Sequence, residues 1–255
     1  MIFSDTHTHL YSDEFSSDLD LLISEAKAKG VQRFFLPNID STSVEGLTLL
    51  AEKYPEHCFP MMGLHPCSVK ENWREELDCV EKLLDERRYV AVGEIGMDLF
   101  WDKTFVKEQE MVFVRQVELA NHYKLPLSIH SRESFEEIYK LLLGTKKEIP
   151  CGVFHCFTGN AEQAQRAIDL GFYLGIGGVV TFKNSGLDKV IAGIPLQHLV
   201  LETDAPYLAP APYRGKRNLP EYIIKVAEKI AEIKSVSLEE VAKVTTENSR
   251  IIFGL

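Results

Sequence analysis

Strand-like and helix-like runs alternate along this chain from one end to the other, and that alternation constrains its fold more than any other feature. IFSDTH, VQRFFLPN, CFPMMGLHP, YVAVGEIG, LPLSIH, CGVFHCF, GFYLGIGG and HLVLETD read as strands. Between them lie amphipathic helices. DLDLLISEAKAKG stops at Gly30 and STSVEGLTLLAEKYP ends before Pro55. The segment from about Trp73 to Arg87 is helical, and FVKEQEMVFVRQVELANHY is the longest clear helix, its apolar residues spaced three and four apart. ESFEEIYKLLLG, AEQAQRAIDLG and LDKVIAGIP follow, and two helices close the chain. A helix after each strand carries the chain back to start the next strand in the same direction, so the strands pair in parallel. Eight such units without an antiparallel block predict a closed (β/α)8 TIM barrel, with residues 1–255 as one domain. An open doubly wound sheet needs a phosphate loop such as GxGxxG directly after a strand. GIGGVV reads instead as lying inside the seventh strand.

In such barrels the chemistry sits where the strands end. His7 and His9 close the first strand, two residues apart and therefore on one side. Imidazole is the commonest biological metal ligand. Glu94 ends the fourth strand, His130 the fifth, His155 the sixth and Asp204 the eighth. A lone histidine on an apolar strand is ordinarily a core group with its hydrogen bond satisfied. Six ligand-type groups at one mouth do not fit that reading, because buried charge without compensation is costly. Two divalent cations bridged by Glu94 account for all six; its strand lies between the two halves of the set. Mixed imidazole and carboxylate donors suit Mg, Mn, Zn, Fe or Ni to differing extents. Strand parity puts Glu202 inward, one layer below Asp204, where it either hydrogen-bonds a ligand imidazole or closes an internal salt bridge. The same parity turns Cys156, next to His155, to the outside of the barrel. No Ser-His-Asp or Cys-His arrangement competes with this site.

Other residues border the expected mouth. His65, in GLHP, is placed to touch a substrate phosphate or to serve as a structural loop histidine. Arg132, in HSRE, is either a phosphate ligand or a solvated residue at a helix start. Arg214, Lys216 and Arg217, in PYRGKRN after the eighth strand, are placed to contact substrate phosphates or to form a solvated charged loop. Trp73, Phe100 and Trp101 can stack bases or pack at the rim. The net charge of -10 argues against a protein that coats DNA non-specifically, which needs a broad basic face. It leaves room for an enzyme meeting nucleic acid in one local cleft. Five cysteines, an odd number without a CxxC, fit a reduced, cytoplasmic setting. No signal-peptide pattern opens the sequence and no apolar run approaches the roughly 20 residues of a membrane span, so no membrane association is expected; no obligate protein partner is evident.

Read together, SDTHTHL, MGLHPC, VGEIGMD, LSIHSRE, VFHCFTG, LETDAPYLAP, PYRGKRN and the closing ENSRIIFGL resemble the TatD-like deoxyribonucleases, a branch of the amidohydrolase-type metal barrels. The resemblance implies metal-dependent hydrolysis of DNA phosphodiesters, as an exonuclease on single-stranded ends. It also implies His7, His9, Glu94, His130, His155 and Asp204 as metal ligands. This chain has Tyr11 where many members carry Asp or Asn, and Met97, Leu99 and Phe100 surround Asp98 in a motif usually followed by Leu and an aromatic. These departures bear on the shape of the substrate cleft. In the expected mechanism a cation lowers the pKa of a bound water for attack on phosphorus, and Asp204 either orients that water and accepts its proton while binding one metal or serves as a ligand alone. Two other readings stay open: hydrolysis of an amide or of a D-aminoacyl-tRNA ester by the same site, and a metal-binding interaction module without turnover.

Overall fold

The computed structural model describes residues 1–145 and 148–255. Eight parallel strands run in order: β1 (Phe3–Asp5), β2 (Val31–Leu36), β3 (Cys58–Pro60), β4 (Val92–Asp98), β5 (Leu127–Arg132), β6 (Gly152–Phe154), β7 (Phe172–Ile176) and β8 (Leu199–Leu201). Helices α1 (Leu19–Ala28), α2 (Val44–Lys53), α3 (Trp73–Glu86), α4 (Val106–Tyr123), α5 (Phe135–Gly144), α6 (Ala161–Asp169) and α7 (Leu187–Gly193) follow the first seven strands in turn. Helices α8 (Ile223–Lys234) and α9 (Leu238–Phe253) follow β8.

Neighbouring strands pair continuously within β1–β2–β3 and within β4 to β8. Backbone hydrogen bonds join the two arcs into a barrel. At the β3–β4 seam, Val90 donates to Pro60, Met62 to Ala91 and Gly93 to Met62, at 3.0–3.2 Å. Met62 and Val92 form a parallel bridge there. At the β8–β1 seam, Thr6 donates to the Leu201 carbonyl through its backbone N (2.9 Å) and its hydroxyl (3.0 Å).

Side-chain alternation sorts the core into two parts. Phe34, Leu36, Ile95, Ile129 and Phe154 pack outward among the helices. Phe35, Met61, Ala91, Val153 and Val200 form a separate small cluster with Ile252 and Phe253 from α9. The Phe35 and Phe253 rings lie 4.2 Å apart, so the end of α9 packs against the inward-facing layer. Filling that layer with apolar groups leaves the polar residues to the other mouth, where the strands end.

Three boundaries differ from the sequence reading. Strand β1 stops at Asp5, so His7 and His9 stand just beyond it, held by hydrogen bonds from Thr8 N to Phe35 O and from His9 N to Ala205 O. Strand β4 runs two residues further than the apolar run, because Met97 and Asp98 stay in register with Ser131 and Arg132 of β5. GIGGVV is not wholly strand: β7 ends at Ile176, and Gly178–Thr181 form a 3-10 turn. A side chain at Gly178 would meet the Leu208 carbonyl at 2.0 Å, so this turn packs on the loop after β8. Among the described residues, no helix is long and apolar enough to cross a membrane.

Candidate metal centre

The structure gathers His7, His9, His65, His130, His155 and Asp204 around one buried carboxylate, Glu94. Each oxygen of that carboxylate serves a different side. Glu94 Oε1 lies 2.8 Å from His155 Nε2, 2.9 Å from His130 Nδ1 and 3.2 Å from His65 Nε2. Glu94 Oε2 lies 3.1 Å from His7 Nε2 and 3.7 Å from His9 Nε2. Asp204 Oδ1 stands 3.5 Å from His9 Nε2 and 3.9 Å from His7 Nε2. The His7 and His155 rings stack at 3.7 Å. Donor atoms that share one divalent cation at about 2.1 Å, with angles of 90–110°, sit roughly 3.0–3.4 Å apart. The observed spacings bracket that range, and no lysine or arginine is recorded in an ion pair with Glu94 or Asp204 among the described residues. The donor set therefore fits divalent metal, with triads His7–His9–Glu94 and His7–His155–Asp204 close enough to share an ion.

The electrostatics follow from crowding. Burial opposes ionisation of Glu94, but His65, His155 and His7 outweigh it and hold its carboxyl well below the usual range. Burial likewise opposes ionisation of Asp204, and the neighbouring His9, His7 and His155 more than offset it. His7 is lowered, mainly by burial and by the adjacent His155. Burial also opposes the charged form of His155, yet Glu94 and Glu202 carry it well above an ordinary imidazole.

Proton counting on the far side of each ring separates ligands from donors. Tyr11 donates its single hydroxyl proton to the Pro37 carbonyl at 2.5 Å. Toward His9 Nδ1, 2.8 Å away, that hydroxyl can only accept. Neutral His9 thus carries its proton on Nδ1 and turns the Nε2 lone pair to the cluster. His130 works in the opposite sense: Nε2 donates to Asp98 Oδ2 at 3.0 Å, leaving the Nδ1 lone pair facing Glu94. His65 differs from both. Its Nδ1 accepts the Cys67 backbone N–H at 3.0 Å, so the neutral ring holds its proton on Nε2. His65 therefore presents an N–H to Glu94 rather than a lone pair, although distance alone groups it with Glu94 and His130.

Several supporting residues escaped the sequence reading. Asp98 is buried beside His130, and its other oxygen accepts the backbone N–H groups of Phe100 and Trp101. The signal was available, since residues 94, 96 and 98 share one strand face. Asp5 is fully buried and accepts both the backbone N–H (2.8 Å) and the hydroxyl (2.6 Å) of Thr203, fixing the residue before Asp204. Asn218 donates to the carbonyls of Thr203 and Tyr207, both at 2.7 Å, from the other side of the same loop. Asp204 itself has φ 56°, a left-handed conformation that is uncommon outside glycine and is stabilised here by those restraints.

Glu202 is buried with Oε1 3.7 Å from His155 Nδ1, and that oxygen also accepts the Cys156 backbone N–H at 2.5 Å. At 3.7 Å the Glu202 carboxylate faces the His155 ring at ion-pair distance rather than hydrogen-bonding it. A side chain at Gly175 would come within 2.2 Å of Glu202 Oε2, so this carboxylate requires glycine opposite it. Cys156 does not point outside the barrel. Strand β6 ends at Phe154, and Cys156 has φ 45°, which breaks the alternation and places it in the lining of the central cleft.

That cleft has a volume of about 670 Å³. Arg132, the last residue of β5, lines it together with Trp101 and Tyr207. The structure does not direct all the expected cations there. Arg217 pairs with Asp18 and the Glu14 carbonyl and lies over the Phe15 ring. Arg214 covers Phe182, and Lys216 is exposed. Trp73 packs against the main core at the start of α3.

Known proteins extend these observations. The sequence profile of the family described as TatD related DNase matches residues 4–254. The uncharacterized metal-dependent hydrolase YabD of Bacillus subtilis (strain 168) is 39% identical over 256 residues, covering 100% of both chains. A Pantoea ananatis protein named 3'-5' ssDNA/RNA exonuclease TatD is 30% identical over 257 residues, covering 98% of this chain and 99% of its own. The solved structure of YjjV, a TatD homolog from Escherichia coli K12, aligns with a TM-score of 0.93 at 32% identity, covering 99% of this chain and 98% of that one.

Proposed function

Because the chain belongs to the TatD-related DNase family of metal-dependent hydrolases, we propose that it cleaves nucleic-acid phosphodiester bonds, DNA foremost, at single-stranded ends. The observation that carries this reading is Arg132. Among the described residues lining the cleft it is the lone arginine or lysine, and it makes no ion pair with any carboxylate. A guanidinium without a carboxylate partner, beside an acidic cluster in a chain of net charge -10, suits a phosphate. A neutral amide makes no such demand; an aminoacyl-tRNA ester carries phosphates too and is separated from a phosphodiester by the substrate panel below. The Pantoea ananatis relative, named for an exonuclease activity on single strands, supports the same substrate class.

Two divalent cations are proposed: His7, His9, Asp204 and Glu94 would hold one, and His130, His155 and Glu94 the other. When bound, such cations neutralise charge on phosphoryl oxygens and make water acidic enough to ionise near neutral pH. The protein's residues do the rest. Asp204, ionised and the more exposed of the two carboxylates, orients the attacking water and takes its proton as the bond from phosphorus to the leaving oxygen breaks. His65 directs its Nε2 proton to Glu94 Oε1 and so steadies that carboxylate. Arg132 holds a flanking phosphate, Tyr11 and Asp98 fix the rings of His9 and His130, and Glu202 stands beside the His155 ring.

The test is hydrolysis by metal-stripped protein reloaded in turn with Mg, Mn, Zn, Fe or Ni. Substrates are 5′- and 3′-labelled single and double strands, beside an amide and aminoacyl-ester panel. Shortening of labelled single strands by the reloaded protein supports the proposal. Turnover confined to the acyl panel would move the assignment to a carboxyl ester or amide. Metal uptake with no turnover of any substrate would leave a binding module.

A further inference from the structure

We propose that Trp101 is a stacking platform for an unpaired nucleobase next to the scissile phosphate, an inference that rests on the nucleic-acid reading above. The indole is 67% exposed, and it lines the cleft that holds His9, Glu94, His130 and Asp204. An exposed tryptophan on a loose loop would carry little meaning, but this loop is held from both ends. Asp98 Oδ1 accepts the backbone N–H groups of Phe100 (2.9 Å) and Trp101 (3.0 Å). Asp102 accepts the Thr104 N–H at 2.9 Å and the Lys70 ammonium at 2.7 Å. The same Asp98 carboxylate receives His130 Nε2 at 3.0 Å, so one buried group fixes both a candidate ligand and the aromatic lip.

The lip also carries a cation. Arg132 lies 4.0 Å from the Phe100 ring centroid and 5.0 Å from that of Trp101. Phe100 meets Trp101 edge to face at 4.8 Å and 85°. Phe100 thus braces the guanidinium from behind while the indole borders the cleft. A flat apolar face beside a cation that lacks a carboxylate partner among the described residues matches the two halves of a nucleotide: base on indole, phosphate on guanidinium. A base inside a duplex is already stacked on both faces. A terminal pair exposes only its outer face and stays tied to its partner strand, whereas an unpaired base is free to lie on Trp101, so the platform favours single-stranded ends.

The test is fluorescence anisotropy of the manganese-loaded protein with a dye-labelled phosphorothioate oligothymidylate that resists hydrolysis. A matched set has the base removed from the last two nucleotides at one end or the other. Wild type should bind the intact strand more tightly than the strand lacking bases at the engaged end. Trp101→Ala should bind the intact strand about 5- to 150-fold more weakly, the range for one lost base stack. It should also no longer distinguish intact from base-free ends, whereas Trp101→Tyr should retain most of that distinction. Equal binding by Trp101→Ala and wild type, or a base-removal penalty that persists in Trp101→Ala, would overturn the platform. If wild type shortens oligonucleotides but Trp101 proves silent, the platform alone falls. If wild type neither binds nor cleaves any oligonucleotide, the nucleic-acid reading falls and takes the platform with it.

Discussion

Tyr11→Phe removes a single oxygen and probes how the centre is organised. That oxygen accepts from His9 Nδ1 at 2.8 Å and donates to Pro37 O at 2.5 Å. Two consequences separate cleanly. Without metal, the variant leaves a largely buried carbonyl and a ring N–H short of partners, which costs roughly 1–3 kcal/mol of folding stability. With metal, His9 loses the acceptor that holds its proton on Nδ1, so the tautomer presenting Nε2 to the cluster is no longer enforced. Loss of such an outer hydrogen bond typically weakens metal binding about 10- to 100-fold, or about 1.4–2.7 kcal/mol. The assay is chelator competition with Mn²⁺ and Zn²⁺ on folded protein, alongside denaturant unfolding of the metal-free form. A stability loss with unchanged metal affinity would refute the tautomer argument and make Tyr11 a packing residue only.

Other outcomes follow from the same geometry. Asp98→Asn keeps the volume but weakens the acceptor for His130 Nε2–H, and should lower metal affinity in the same competition assay by about tenfold; unchanged affinity would detach Asp98 from the centre. His65→Gln should retain bound metal, because His65 presents a proton rather than a lone pair, while kcat/KM on oligonucleotides falls about 10- to 100-fold; metal analysis showing an ion lost would make His65 a ligand. Gly175→Ala places a methyl 2.2 Å from Glu202 Oε2 and 3.1 Å from the His155 backbone, and should destabilise the fold by about 1–3 kcal/mol in urea melts; a neutral variant would mean Glu202 moves aside freely. Chelator treatment should lower the thermal midpoint by roughly 5–10 °C if metal had been at a hundredfold excess over its dissociation constant; an unchanged midpoint would argue against a metal tied to the folded state.

The barrel was legible because its signal is long-range and repeated. Eight alternating runs leave few topologies open, and helix limits such as Val106–Tyr123 follow the apolar spacing closely. What lay beyond the strand ends was harder to read. Parity arguments hold only while the backbone stays extended, and both Cys156 and Asp204 adopt positive φ where the chain leaves its strand. Cys156 was misplaced for that reason. The PYRGKRN segment drew attention to its charges, yet its buried member is Asn218, which anchors the loop bearing Asp204. Arg217 was equally unreadable, since its partner Asp18 lies almost the whole chain away in sequence. The tautomers of His9, His65 and His130 depend on three-dimensional partners and leave no trace in spacing.

Glu94 is proposed as the hub of a hydrolytic metal centre, and Glu94→Gln is the sharpest perturbation of it. The amide keeps the shape but removes the negative charge and one of the two oxygens that face the histidines. Metal content by mass spectrometry and cleavage of a labelled single strand are measured on the same folded samples. Glu94→Gln should lose bound metal and strand cleavage together, whereas wild type retains both. A folded Glu94→Gln protein with full metal content and near-wild-type cleavage would contradict it.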